Sequence, residues 1–144
     1  RAQVKEVLAS GAALAKLHEL VVAQDGDGGY IDDVARFPQA AHSHTVCAPQ
    51  DGWVAGMDCE AVGRASMQLG AGRADKDSAL DYSAGIRLKC KTGDKVCKGQ
   101  PLAELYAAEQ GLFQNAAQTL LGAYRFAGEQ PKKPAGLILA RIGE

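Results

Sequence analysis

The stretch of this sequence best suited to handling an anion is Gly70-Ala71-Gly72-Arg73, with Arg64 before it and Lys76 after it. Glycines leave backbone amides bare, and clustered cations steer a phosphate. Strong phosphate cradles put their glycines before a helix, where free N–H groups and the positive dipole end face the anion. These glycines follow a helical pattern instead, where carbonyls and the negative end gather. Asp75, Asp77 and Asp81 also neutralise much of the nearby positive charge. The segment therefore reads first as a helix stop. Its second reading is a loop that carries Arg64, Gly70, Gly72, Arg73 and Lys76 toward an anion held by another domain.

Other chemical candidates are weaker. His42, His44 and Cys47 invite a metal, but in a strand the two imidazoles point to one face and the thiol to the other. Asp25-Gly26-Asp27-Gly28-Gly29 has the look of a calcium loop. It fails at its fifth, sixth and twelfth positions, Gly29, Tyr30 and Arg36, and reads as a turn. His18 has no second metal-binding side chain one helical turn away and reads as a satisfied, partly buried histidine. No serine–histidine–acid set has recognisable spacing, and no glycine elbow surrounds a serine. Cys90 and Cys97 fall on strand patterns and read as buried small hydrophobes. No catalytic residue, resident cofactor or metal is expected within these residues.

The elements that must position the glycine segment are legible around it. Asp58 can cap a helix from Cys59 onward, with Val62, Ala65, Ser66 and Leu69 on one face. Ala61, Gly63 and Ala65 are small enough to let that helix lie close to whatever it covers. Gly70 or Gly72 can take the left-handed conformation that ends it. Before it, Val46–Pro49 and Trp53–Met57 flank Gln50-Asp51-Gly52, a hairpin signal. After it come strands over Ala84–Cys90, Lys95–Cys97 and Pro101–Tyr106, separated by glycine turns. A helix is predicted over Glu109–Ala127 from its stripe of Leu112/Phe113, Ala116/Ala117, Leu120/Leu121 and Tyr124. An extended spacer, Pro131–Pro134, and a final strand, Leu137–Ile142, close the chain. Upstream, Val4–Ala9 and a helix capped by Ser10, with Leu14, Leu17 and Val21 as its stripe, precede an irregular connector to Ala40.

The pattern is that of an α+β protein: residues 1–40 as a helical segment and connector, residues 41–144 as a barrel-sandwich-like β-domain with packed helices. The chain has 144 residues and is 47% hydrophobic, so it can bury a real core. Its 16 basic and 17 acidic residues give a formal net charge of −1, which argues against a nucleic-acid partner. No apolar run approaches the roughly 18 residues that span a bilayer, so no membrane partner is expected. Four cysteines without a Cys-x-x-Cys pair point to a reducing compartment. A first residue of Arg1 suggests a piece of a longer polypeptide.

Two resemblances follow from these residues. Ala48–Val54 and Gly93–Leu102 resemble the two halves of a biotinyl or lipoyl carrier, a barrel-sandwich fold that presents one lysine on a tight hairpin. Here a helix and a long loop separate the halves, and no Met-Lys-Met or Asp-Lys-Ala tip is present. More specifically, Glu60–Ala65, Leu69–Arg73, Asp81–Ile86 and Gly93–Leu102, in that order, resemble the C-terminal domain of pyrimidine-nucleoside and thymidine phosphorylases. Ala13–Ala23 with Gln24 is similar to the last helix of the part preceding that domain. The resemblance implies an α/β-hammerhead fold within a homodimeric cytoplasmic enzyme. Such an enzyme cleaves pyrimidine nucleosides with inorganic phosphate as co-substrate. It further implies that the reactive residues belong to upstream helical and α/β domains, with which this chain would pack.

Overall fold

The computed structural model describes residues 1–73, 76–132, 140, 142 and 143. It divides into two compact units, Arg1–Gln39 and Ala40–Glu144.

The first unit is helical. Helices α1 (Ala2–Ala9) and α2 (Ala12–Ala23) are joined at Ser10-Gly11, followed by a short α3 (Gly29–Asp32) and a 3-10 turn, Val34–Arg36. The α2 cap is Gly11, with Ser10 Oγ 3.5 Å from the Ala12 amide, so Ser10 stands one residue earlier than a true cap. The acidic glycine segment is a turn, as expected. Asp27 accepts the Gly29 amide at 2.8 Å and pairs with Arg36 at 2.7 Å, and Arg36 lies over Tyr30. His18 is half-buried, with Nε2 3.7 Å from Asp32 Oδ2. Leu14, Leu17, Leu20, Val4, Val7 and Leu8 are exposed. Neither α1 nor α2 buries a single residue fully. These helices satisfy their backbones but leave their apolar stripes uncovered.

The second unit contains the core. Its strands are β1 (His42–Cys47), β2 (Gly52–Met57), β3 (Gly85–Leu88), β4 (Lys95–Val96), β5 (Pro101–Ala107) and β6 (Tyr124–Ala127). Helix α4 (Cys59–Ser66) lies between β2 and β3 in the chain, and α5 (Phe113–Ala123) between β5 and β6. The strands form two three-stranded antiparallel sheets, ordered β1-β5-β3 and β4-β2-β6. Val46, Val54, Val96, Leu102, Leu105, Ala116 and Leu120, drawn from both sheets and α5, share one buried cluster. The architecture is α+β, and the described strands do not close into a single barrel.

Three local expectations are corrected. Asp51-Gly52 does not make a hairpin: β1 pairs with β5, whereas β2 pairs with β4 and β6. Gly52 is needed for another reason. Its φ of 148° and a hypothetical Cβ only 2.6 Å from the Ala127 carbonyl make it the point where β2 closes on β6. Asp51 meanwhile accepts the Lys98 amide at 2.7 Å, tying the two resembling strand-turn units to each other. The second correction is the end of α5. Tyr124–Ala127 leave the helix and pair with β2, because that strand has an open edge and Tyr124 has buried partners for its hydroxyl. The third is Cys97, which is exposed: β4 points Val96 inward, so the period of two turns its successor out. Cys90 is buried, as read. Lys133 and Pro134 of the expected spacer, and most of the expected strand Leu137–Ile142, lie outside the described residues.

Candidate functional site

Helix α4 begins as its sequence dictates. Asp58 Oδ1 accepts the amides of Glu60 at 3.0 Å and Ala61 at 3.2 Å, satisfying two of the free first-turn donors. The buried face is Ala61, Ala65 and Leu69, with Val62 and Ser66 half-buried beside it. Gly63 does not serve close approach, since a Cβ there would meet nothing within 4 Å. Ala61 and Ala65 are the buried small residues of α4, which packs against α5.

After Ser66 the chain widens into a turn, Met67–Ala71, and leaves helical geometry at Gly70, with φ 100° and ψ −1°. Gly70 is therefore the left-handed stop. Gly72 is extended, at φ −141° and ψ 160°. A Cβ at Gly70 would sit 3.4 Å from Asp81 Cβ, so space is adequate and only the backbone is strained. Gly70→Ala should cost about 1–2 kcal/mol, whereas Gly63→Ala should stabilise by about 0.5–1 kcal/mol by lowering chain entropy in a helix. Urea unfolding of the two variants checks this opposition of sign.

The candidate residues are placed as follows. Arg64 leans back one turn to pair with Glu60 on the outer face of α4. Arg73 and Lys76 are exposed. What the fold does bring together is Gly70 and Asp81: the Asp81 amide donates to the Gly70 carbonyl at 2.9 Å. Asp81 was expected only to offset nearby positive charge, but its carboxylate turns to the scaffold instead. Oδ1 accepts the Ser83 amide at 2.9 Å and the Ser83 hydroxyl at 2.6 Å. Ser83, through its hydroxyl and then its amide, holds this carboxyl below the usual aspartate range against the opposing effect of burial. Oδ2 is buried and closes no hydrogen bond among the described residues. The overlooked signal was Asp81-Tyr82-Ser83, an aspartate followed two residues later by a donor, the pattern of a side-chain-closed turn.

The metal candidates remain apart. His42 and His44 lie on β1, His42 within 3.4 Å of Gln110 and His44 stacked on Phe113 at 5.6 Å. Among the described residues no group of three histidine, cysteine or acidic side chains could hold a metal ion. No described helix is long and apolar enough to cross a membrane.

Fold and site together define a small α+β domain in which a glycine turn follows a helix end. Comparison with known proteins makes this specific. The family model described as pyrimidine nucleoside phosphorylase C-terminal domain matches residues 53–127, from β2 through β6. The chain is 42% identical over 112 residues to a pyrimidine-nucleoside phosphorylase of Bacillus subtilis (strain 168), covering 78% of this chain and 26% of that protein. It is 36% identical over 122 residues to a pyrimidine-nucleoside phosphorylase of Geobacillus stearothermophilus, covering 80% and 28% respectively. The chain belongs to the family of pyrimidine nucleoside phosphorylase C-terminal domains. It spans about a quarter of the length of these relatives.

Proposed function

We propose that this chain works as the C-terminal domain of a pyrimidine-nucleoside phosphorylase, which converts pyrimidine nucleoside and inorganic phosphate to free base and (deoxy)ribose 1-phosphate. A phosphate oxygen attacks the anomeric carbon, the carbon–nitrogen bond to the base breaks, and the base leaves with the bonding electrons. Catalysis of this kind is mainly positioning and charge stabilisation. In this reading the groups that hold phosphate and base belong to upstream helical and α/β domains. Residues 1–40 come from the preceding domain and residues 41–144 are the C-terminal domain, of hammerhead type. The complete enzyme is a cytoplasmic homodimer with no resident cofactor.

The observation that carries this reading is 42% identity, over a stretch that covers 78% of this chain, to a named phosphorylase of which it covers only 26%. The uncovered stripes of α1 and α2 support it further, since Leu14, Leu17 and Leu20 would pack against the rest of a preceding domain. The test is phosphorolysis by the complete polypeptide. Phosphate-dependent release of base from uridine or thymidine is expected, and no release from either would refute the reading.

In the complete enzyme the turn at Gly70 would offer Arg73 and Lys76 to the cleft, while the β-structure buttresses the phosphate-bearing domain. Arg73→Ala is then expected to lower kcat on the order of tenfold and to leave the melting temperature unchanged, because Arg73 is exposed. Steady-state kinetics beside a thermal melt checks this, and unchanged kinetics would make the segment a structural stop only.

A further inference from the structure

We propose that Asp81 is a positioning residue, a clasp that fixes both ends of the segment from which Arg73 and Lys76 project. Its backbone amide holds the Gly70 carbonyl at 2.9 Å, at the point where α4 and its wide turn end. Its carboxylate is held in turn by Ser83 through two donors, at 2.9 and 2.6 Å. The Asp81 carbonyl accepts the Ala84 amide at 3.2 Å, immediately before β3. One residue thus links the exit of α4 to the entry of β3. The Ser83 hydroxyl and then the Ser83 amide are the leading donors that stabilise its charge. These short local donors suit a positioning role, because Ser83 stands only two residues from Asp81 and fixes the direction of its carboxylate. The functional part of this inference rests on the phosphorylase reading; the structural part does not.

The test is amide hydrogen exchange on the isotopically labelled chain, read at residue 81 and at the amides of Leu102–Ala107 in β5. In Asp81→Ala the amide of residue 81 is retained, so its exchange reports the bond to Gly70 directly. It should exchange about tenfold faster or more, with β5 unchanged. Ser83→Ala, which removes only the hydroxyl donor, should give a smaller increase at the same amide. Full protection of residue 81 in both variants would overturn the proposal. Equal acceleration at residue 81 and throughout β5 would also overturn it, since Asp81 would then support the whole fold and not this segment. In the complete enzyme, Asp81→Ala should lower kcat as Arg73→Ala does. Loss of turnover in Arg73→Ala alone would overturn the clasp. Turnover retained by both would overturn the role given to Arg73, while the exchange result at residue 81 still decides the clasp.

Discussion

Leu69→Ala should lower the unfolding free energy by about 3 kcal/mol, within the roughly 2–5 kcal/mol range for emptying a buried leucine site. Leu69 is fully buried. It sits on the wide turn that follows α4, a turn packed against α5, β3 and β5. Truncation removes its transfer free energy and leaves a cavity that three separate elements would have to move to fill. Such concerted collapse is difficult where α5 and β5 already pack Ala116, Leu120, Leu102 and Leu105 at zero exposure. By contrast, Met67→Ala on the same turn should cost well under about 1 kcal/mol, since Met67 is exposed. Urea unfolding of both variants measures the difference, and similar losses at the two positions would contradict the packing described.

Tyr124→Phe has the second large effect, and its size depends on pH. Tyr124 is 5% exposed and donates its hydroxyl to the Cys90 carbonyl at 3.1 Å and the Leu102 carbonyl at 3.3 Å. Leu102 also receives the Lys89 amide at 2.8 Å and the Cys90 amide at 3.2 Å, so it keeps donors when the hydroxyl is lost. The Cys90 carbonyl loses a donor, which at neutral pH should cost about 1–2 kcal/mol. Burial, then the charges of Cys90 and Asp94, pushes the Tyr124 phenol from 10.0 to about 12. A raised pKa in an acid means that the unfolded chain ionises first. The contribution of this phenol is thus whole below about pH 10 and is lost as pH climbs toward 12, by about 2–3 kcal/mol. Phenylalanine has no proton to lose. The variant should therefore be the less stable protein at pH 8 and draw level with, or pass, the parent near pH 12. A stability gap that stays constant across this range would refute the buried, neutral phenol.

Much of the scaffold was readable because the determinants were local. Asp58 as a cap, Gly70 as a left-handed exit and the burial of Cys90 each depend on one residue and its immediate neighbours. What failed was long-range. Asp51-Gly52 carries the chemistry of a hairpin, but nothing near it in sequence says that β1 will pair with β5 while β2 takes β4 and β6. Likewise Tyr124 continues the apolar stripe of α5, and its conversion to a strand depends on the vacant edge of β2 and on carbonyls at positions 90 and 102. At the candidate site the cations were visible as residue types. The Asp81 clasp was not, because its meaning depends on Gly70 being brought beside it by folding.

The central claim is that these residues form a supporting domain whose reactive partners belong to other polypeptide of the same enzyme. Phosphorolysis by the purified 144-residue chain alone, assayed with uridine and with thymidine in phosphate buffer beside the complete polypeptide, tests it most directly. The expected result is base release by the complete polypeptide and none above background by this chain. Turnover by this chain alone would contradict it.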